Sequence, residues 1–369
     1  MEEEARCFLS RFVEEFPAAL EDDHPLPVNP LSRKVSLEEL HGESLDLGLR
    51  LLSARAAPSS LSALLCQAAL SQLLKDDLSS FHCPCEAEVN QEEEEKDGVQ
   101  RAYYAVFDGH GGLDAAVYAA THLHVALSKQ EMLQSDSATA FKSAFKQVDD
   151  MFRGKAKREC LRSGSTGVAV LIQGQELTVA WLGDSQALLV RRGEVVTLMD
   201  PHKPEREDEK QRIEDLGGCI AYMGCWRVNG TYAVSRAIGD FDQKPYVSGD
   251  ADCSTIQLLG DEDYVLLACD GFFDAIRPSE VPCMVVEALQ QTGAPEEGHV
   301  PQELFKEGVG QNVAQRLVGE AKAAGSSDNI TVMVVFLRPP DQLIVQHCTT
   351  GTVEDSPQHP AAQVPRNQP

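Results

Sequence analysis

The sequence predicts an α+β fold with antiparallel sheets, and two observations support this prediction. From residue 101 to residue 337, short β-rich runs and helical patterns are joined by Gly and Asp turns. Within this part, four β-rich runs follow one another between residues 166 and 199, separated only by short turns such as Gln173-Gly174 and Arg192-Gly193. Parallel strands need long crossover connections, so this spacing favours an antiparallel meander.

The first hundred residues are expected to form a separate acidic region. Apolar residues recur at helical spacing in 45–51 and 61–74, which predicts short amphipathic helices that pack on each other or on a partner. Residues 86–97 contain seven acidic residues and one lysine, and like-charge repulsion keeps such a run solvated. The run is either a solubilising linker or a docking site for a basic partner.

The rest of the chain reads as one folded domain followed by a tail. We predict strands at 102–107, 166–172, 176–182, 186–190, 195–199, 232–235, 264–269 and 330–337. We predict helices at 113–129, 205–216, 279–291 and 309–324. The expected organisation is a helical region at 1–85, an acidic linker at 86–100, a catalytic domain at 101–338 and a disordered Pro- and Gln-rich tail at 339–369.

Charge and hydropathy exclude several classes of function. The chain has 58 acidic and 32 basic residues, a formal charge of −26, which disfavours binding to a nucleic-acid backbone. No run approaches the roughly 18 apolar residues that a membrane span needs. The start, Met1-Glu2-Glu3-Glu4, is the opposite of a basic secretory or transit sequence, so we expect a cytoplasmic or nuclear location. Eleven scattered cysteines then indicate reduced thiols.

Aspartates recur in short polar segments at the ends of apolar runs. Asp108, Asp184, Asp270 and Asp328 all lie in such segments. A single Asp-Gly pair is usually a plain turn, but carboxylates from several neighbouring strands can converge on one point, where their repulsion requires a cation. Hard oxygen ligands suit Mg²⁺ or Mn²⁺. The pattern therefore predicts a divalent-metal site.

Six motifs in this part of the chain carry a resemblance to a known family. They are 104–112 (YAVFDGHGG), 163–166 (SGST), 183–185 (GDS), 233–240 (AVSRAIGD), 269–274 (CDGFFD) and 325–331 (GSSDNIT). In order and spacing they resemble the metal-dependent protein phosphatases of the 2C type, over about residues 101–337. The run 225–230 (CWRVNG) and the acidic N-terminal region are most similar to the PIX-binding branch, which acts on calcium/calmodulin-dependent protein kinases.

The resemblance implies a fold and a set of metal ligands. The implied fold is a four-layer β-sandwich of two antiparallel sheets flanked by helices, with the metal site at one end. The implied cofactors are two Mg²⁺ or Mn²⁺ ions, with a third, weaker ion. The implied ligands are Asp108, which bridges the two ions, the carbonyl of Gly109, Asp270 and Asp328 for the second ion, and Asp184 and Asp274 for the third.

The implied reaction is hydrolysis of phosphoserine and phosphothreonine in proteins. Two divalent ions lower the pKa of a shared water, so that hydroxide can attack phosphorus directly. His110 is the implied general acid, since protonation of the leaving oxygen contributes roughly 10²- to 10⁴-fold. A lone loop histidine would more often cap a helix, but the adjacent Asp108-Gly109 favours the catalytic role. The implied partners are phosphoprotein substrates, calmodulin-dependent kinases among them, and a PIX-type protein at the N-terminal region.

Three other polar groups have simpler interpretations. Arg236 and Asp240 are predicted to form a structural ion pair, because a strand-end arginine commonly satisfies neighbouring carboxylates. His122 and His124 lie about 200° apart around a helix and cannot chelate one ion. The pair Cys83-Pro84-Cys85 lacks the spacing of a metal or redox motif.

One element of the family is missing from the sequence. The family carries, upstream of its Phe-Asp-Gly-His segment, an R-x-x-x-E-D element whose arginine grips the phosphate, and residues 1–100 contain no such pattern. The chain resembles a phosphatase without its first strands, as skipping of an internal coding segment would produce. Loss of the arginine is expected to weaken activity by on the order of 10²- to 10³-fold. The alternatives are an inactive partner-binding form and a hydrolase of small phosphoesters.

Overall fold

Two antiparallel sheets form the centre of this computed structural model, which describes residues 2–18, 27–32, 34–73, 101–292, 309–340 and 342–343. Its α-helices are α1 (Glu2–Glu15), α2 (Leu37–Ser53), α3 (Ser59–Leu73), α4 (Asp114–Ser128), α5 (Ser137–Glu159), α6 (Glu207–Asp215), α7 (Asp270–Phe273), α8 (Val281–Thr292) and α9 (Val309–Ala323). Its strands are β1 (Arg101–His110), β2 (Gly164–Gln173), β3 (Glu176–Leu182), β4 (Gln186–Arg191), β5 (Glu194–Thr197), β6 (Ile220–Tyr222), β7 (Trp226–Val228), β8 (Ile238–Gly239), β9 (Asp252–Gln257), β10 (Glu262–Ala268) and β11 (Val332–Phe336).

The strand order confirms the antiparallel prediction. The five-stranded sheet has the order β1-β2-β3-β9, with β8 also paired to β2, and the four-stranded sheet has the order β11-β10-β4-β5. Every pair within these sheets is antiparallel. Tight turns make the short connections possible: β2 and β3 are joined through Gly174, whose φ of +59° glycine adopts without steric cost.

Alternation of side chains along the strands builds four layers. In β2, Val168 and Val170 face the second sheet, whereas Ala169 and Leu171 face the layer formed by α4 and α5. In β10, Val265 and Leu267 face the first sheet, and Leu266 packs against α8 and α9. The order is therefore helices, sheet, sheet, helices, which confirms the predicted sandwich.

The motif around Asp108 lies in a strand, not in a loop after a strand. The predicted strand ended at residue 107, but β1 runs to His110, since its ladder with β2 continues through the pairs Asp108–Thr166 and His110–Gly164. The pairing fixes the backbone of the whole Asp108-Gly109-His110 segment. Sequence periodicity missed this extension because polar residues end the apolar pattern before the hydrogen bonding ends.

The two sheets have half-exposed edges on β1 and β11. In β1 only Val106 is buried, and all five residues of β11 are half-buried, whereas the first eight residues of β2 are buried. Within the described ranges, β1 pairs only with β2 and β11 only with β10. The missing first strands remain a prediction, with which these open edges agree.

Several elements differ from the sequence expectations. The strand predicted at 232–235 is wrong: this segment is irregular and makes one isolated bridge, between Val228 and Tyr232. Helix α5 was not predicted, although Phe141, Phe145 and Phe152 line one buried face of it at spacings of four and seven. Many charged residues on its other face obscured that pattern. The strands β6, β7, β8 and β9 were also missed.

The N-terminal helices pack on the helical layer of the sandwich. Glu39 of α2 is buried and accepts hydrogen bonds from Tyr118 Oη at 2.9 Å and from Arg158 Nη2 at 2.9 Å. Gly42 allows close approach, because a Cβ there would lie 2.9 Å from the carbonyl oxygen of Thr121. The patterns at 45–51 and 61–74 thus belong to α2 and α3.

The linker at 86–100, the Cys83–Cys85 pair and most of the tail at 339–369 lie outside the described residues. Among the helices that the structure describes, none is long and apolar enough to cross a membrane.

Candidate metal centre

Two strand ends bring a pair of predicted metal ligands together. Asp108 lies near the end of β1, and Asp270 begins α7, one residue after Cys269 and two after the end of β10. One ligand atom from each of Asp108, Cys269 and Asp270 lies within 4.8 Å of the other two. The convergence of Asp108 and Asp270 agrees with the sequence interpretation, whereas Cys269 was not among the predicted site residues.

The electrostatics of this pair indicate a need for positive charge. Burial raises the pKa of Asp108 to about 7, together with its hydrogen bond to Asp270 and the charges of Asp270 and Asp328. Oδ1 of Asp270 is buried and has no hydrogen-bond partner within the described part of the chain. A buried carboxylate oxygen without a partner is costly, and an oxygen-rich donor set suits Mg²⁺ or Mn²⁺. The residues present therefore fit a divalent cation.

The third predicted ligand, Asp328, lies in the loop between α9 and β11. Its charge raises the pKa of Asp108, so Asp328 lies near this centre, but its side chain is exposed and is not in the group whose ligand atoms lie within 4.8 Å of one another. The loop is held in place by the Cys269 thiol, which donates to the Asn329 carbonyl at 3.3 Å and accepts from Thr331 N–H at 3.2 Å. Cys269 is thus a structural clamp beside the carboxylates.

Gly109 lies between Asp108 and His110 in β1, opposite Ser165 of β2. The backbone carbonyl of the preceding residue, Asp108, accepts a hydrogen bond from Ser165 Oγ at 3.0 Å. A Cβ on Gly109 would lie 3.0 Å from the Ala116 side chain and 3.2 Å from the carbonyl of Gly112. A side chain here would press on the loop that leads into α4, so glycine suits this close approach.

Asp184 and Asp274 lie on the side of the centre that also contains a lysine. Asp184 is buried, and burial, followed by the charge of Asp270, raises its pKa to about 7. Lys203 Nζ lies 3.3 Å from Asp274 Oδ1. Burial alone would lower the pKa of Lys203, but the charges of Asp274 and Asp184 raise it. The ammonium group of Lys203 therefore supplies positive charge beside Asp184 and Asp274.

His110 is paired with Asp240, which the sequence analysis had assigned elsewhere. His110 Nε2 donates to Asp240 Oδ2 at 2.6 Å, and Asp240 is only 1% exposed. Burial lowers the pKa of His110, but the hydrogen bond and the charge of Asp240 raise it overall above its ordinary value. The predicted Arg236–Asp240 ion pair is wrong, and Asp240 was missed because no local spacing connects it with His110.

Arg236 instead joins a neighbouring group of acidic residues. Its Nη2 lies 2.7 Å from Glu209 Oε1, and its Nη1 lies 3.1 Å from Asp252 Oδ1. Burial raises the pKa of Glu209, but hydrogen bonds from Arg236 and Arg212 lower it to about 2. A structural role for Arg236 agrees with the prediction, although its partners differ.

A buried histidine connects this group with the Asp184 loop. His202 Nδ1 accepts from the Gly183 N–H at 3.2 Å, so its Nε2 carries the proton and donates to Asp252 Oδ2 at 2.9 Å. The backbone N–H of His202 also donates to the Gly183 carbonyl at 2.9 Å. His202 had no sequence signal, because Gly183 and Asp252 approach it only in the folded chain.

Comparison with known proteins identifies relatives of the whole chain. The sequence profile described as protein phosphatase 2C matches residues 71–330. Human protein phosphatase 1F is 43% identical over 93% of this chain and 89% of its own length. Human protein phosphatase 1E is 42% identical over 85% of this chain, which spans 48% of that protein. These relatives confirm the resemblance, including its narrower form, the PIX-binding branch.

The fold has a solved counterpart as well. A serine-threonine phosphatase 2C from Toxoplasma gondii superposes with a TM-score of 0.53 at 23% identity, covering 64% of this chain and 84% of that one. At this identity the likeness concerns the fold, and it agrees with the two-sheet sandwich described above.

Proposed function

The chain belongs to the protein phosphatase 2C family of metal-dependent protein serine/threonine phosphatases, and we propose that its reaction centre is built on Asp108, Asp270 and Asp328. One observation carries this assignment. Asp108 and Asp270 are held together at the ends of two strands, with a raised pKa on Asp108 and a buried Asp270 oxygen that has no hydrogen-bond partner among the described residues. Such a pair repels itself until a cation is bound.

The proposed cofactors are two Mg²⁺ or Mn²⁺ ions. Asp108 would bridge them, the Gly109 carbonyl would complete one site, and Asp270 and Asp328 would hold the other. When bound, such ions supply hydroxide near neutral pH by lowering the pKa of a water. Asp184 and Asp274 are the proposed ligands of a third ion, and Lys203 beside Asp274 is a reason for that ion to bind more weakly.

His110 is the proposed proton donor. Asp240 accepts a hydrogen bond from His110 Nε2 and stabilises the protonated ring, so the pKa of His110 is raised and its acid form extends to higher pH than in a free histidine. Gly164 leaves room for the Asp240 carboxylate, which a Cβ at this position would meet. The leaving serine or threonine oxygen needs a proton, and a raised-pKa imidazole is suited to give it.

The proposed substrates are phosphorylated protein kinases, calmodulin-dependent kinases among them. The support is the motif resemblance together with the relatives named protein phosphatase 1F and 1E. The same resemblance supports a PIX-type partner for the N-terminal helices.

A second candidate is a partner-binding form with little or no activity. It is favoured by the absence of an R-x-x-x-E-D element in residues 1–100 and by the half-exposed edge strand β1. Without an arginine on the phosphate, a preorganised charge-assisted contact is lost.

Phosphate release from a phosphothreonine peptide tests the two candidates. We expect Mn²⁺-dependent turnover that disappears in Asp270→Asn but persists in Asp215→Asn, an exposed aspartate on α6. Binding of Mn²⁺, followed by electron paramagnetic resonance, should weaken only in Asp270→Asn. A folded wild-type chain that binds Mn²⁺ without turnover would favour the partner-binding form, and one that binds no Mn²⁺ would contradict the proposed centre.

A further inference from the structure

A cleft of about 530 Å³ lies on the side of the sandwich where α5 meets the segment after β8. We call it the basic cleft, and its defining residues are Arg153, Lys157, Leu161, Phe241, Lys244 and Pro245. We propose that the basic cleft binds an acidic or phosphorylated residue of the protein substrate, a few positions from the phosphate that is hydrolysed. This inference rests on the proposed function.

The charge of the basic cleft is unusual in a chain of net charge −26. Arg153, Lys157 and Lys244 all line it. Arg153 pairs with Asp150 at 3.4 Å, but both side chains are about half exposed (44% and 54%), and exposed pairs attract each other only weakly, so Arg153 can exchange this partner for a ligand. Lys157 has no ion-pair partner among the residues that the structure describes. The lining therefore keeps a positive excess.

Lys244 is a fixed part of the cleft and not a mobile surface lysine. Its side chain is 16% exposed, and Nζ donates to the Ala237 carbonyl at 2.8 Å and pairs with Asp149 at 3.1 Å. An ammonium has three protons, so one donor remains for a ligand. Burial lowers the pKa of Lys244, and the neighbouring charges of Asp149 and Asp240 act against that shift.

Phe241 gives the cleft an apolar floor between its cations. The Arg153 guanidinium lies 5.3 Å from the ring centroid and Lys244 Nζ lies 5.9 Å from it. Phe152 packs behind the ring at a centroid distance of 5.8 Å and fixes its position. Leu161 and Pro245 complete apolar walls. A ligand with an anionic tip on an aliphatic stem, such as a glutamate or phosphoserine side chain, matches this lining.

The cleft adjoins the reaction centre through two short connections. Phe241 follows Asp240, which accepts the hydrogen bond of His110. Leu161 is two residues before Ser163, whose hydroxyl accepts from Ala115 N–H at the start of α4. Four extended residues span at most about 14 Å, so Lys244 lies within that distance of Asp240, counted between Cα atoms. A substrate residue two to four positions from the phosphothreonine can bridge a similar span.

A peptide series tests the proposal. Three phosphothreonine peptides of equal length carry, at the positions two to four residues on either side, alanine, glutamate, or a non-hydrolysable phosphonate analogue of phosphoserine. The test variant is Arg153→Gln/Lys157→Gln, and the control is Lys142→Gln/Lys146→Gln, which removes the same charge from exposed positions of α5 outside the cleft.

We expect the test variant to lower kcat/KM for both acidic peptides by about tenfold and to leave the alanine peptide unchanged. The control should change all three peptides equally. An equal loss with the alanine peptide would overturn the proposal, and an effect confined to the phosphonate or the glutamate peptide would assign the cleft to phosphate or carboxylate.

Direct binding separates this proposal from the proposed function. If no peptide is hydrolysed, the proposed function fails, but the cleft is still tested by fluorescence anisotropy with a peptide whose threonine phosphate is also a phosphonate. Weaker binding of the acidic peptide by the test variant alone would support the cleft, and equal binding by test and control variants would exclude it.

Discussion

Two clusters of carboxylates lie close together and satisfy their charges in different ways. In the arginine cluster, Glu209 and Asp252 both pair with Arg236, and each has a second arginine partner, Arg212 for Glu209 and Arg206 for Asp252. In the metal centre, Asp108 and Asp270 share a hydrogen bond with each other, and Oδ1 of Asp270 lacks a partner in the described part of the chain. Both clusters are at least partly buried, so the difference between them comes from the arginine side chains that pair with the first cluster.

The pKa values express this difference. Hydrogen bonds from arginines lower the pKa of Glu209 to about 2 despite its burial, whereas burial and like charges raise the pKa of Asp108 to about 7. A cluster that is complete in the folded chain stabilises the fold. A cluster with raised pKa values costs stability at neutral pH and is thereby prepared to bind a cation.

The largest expected effect is that of Asp108→Asn. Removing the charge should lower turnover by about 10³-fold or more, because Asp108 is the residue proposed to hold both ions. The same change should raise the Tm of the metal-free protein at pH 7. The raised pKa of Asp108 means that ionisation destabilises the fold as pH rises from about 4 to about 7. A lower Tm in the metal-free state would contradict the proposed repulsion.

Glu209→Gln should have the opposite effect in the arginine cluster. It leaves Arg236 buried without its main partner, which typically costs about 3–5 kcal/mol of unfolding free energy. Urea unfolding measures this loss, and Glu207→Gln, at an exposed position of α6, is the control. Since the folded pKa of Glu209 is depressed, its contribution is present above its ordinary value of 4.5 and is lost as pH falls through about 2.

His202 links the two clusters, and two substitutions separate its hydrogen bonds. Asparagine can place Oδ1 near the position of Nδ1 and keep the bond to Gly183, whereas glutamine reaches toward Asp252 and leaves Gly183 N–H without its acceptor. His202→Gln should weaken Mn²⁺ binding by about tenfold or more, as expected for a group that orients a ligand loop. His202→Asn should weaken it less. Equal Mn²⁺ affinities in the two variants would assign His202 to stability alone.

Asp240→Asn should produce the smallest effect, a shift in the pH profile. Without the carboxylate the pKa of His110 falls, so turnover of a phosphothreonine peptide should decline at lower pH than in the wild type. The good leaving group of p-nitrophenyl phosphate needs no proton, and its hydrolysis provides the control. A similar shift with both substrates would show that Asp240 does not act through His110.

Much of the fold was accessible from the sequence because hydrophobic alternation is local. The meander from β2 to β5 was predicted from apolar runs and turns, since each strand faces a core on one or both sides. Helix α5 was missed because the many charged residues on its exposed face obscure the helical spacing of its buried phenylalanines. The strand predicted at 232–235 was wrong because apolar residues there do pack into a core, but the backbone does not pair with a neighbouring strand over this segment.

The sequence by itself determined the antiparallel strands and their turns, and its motifs, through their resemblance to a known family, implied the sandwich and predicted the aspartates of the metal site, because residue types and short spacings are local features. Only the tertiary structure determined which charged side chains pair with each other. It pairs Asp240 with His110 across 130 positions of the chain, and joins Arg236 to Glu209 and Asp252 instead. The basic cleft likewise forms from α5 and the segment after β8. Electrostatic partners are chosen by distance in the folded chain, and no local pattern records that distance.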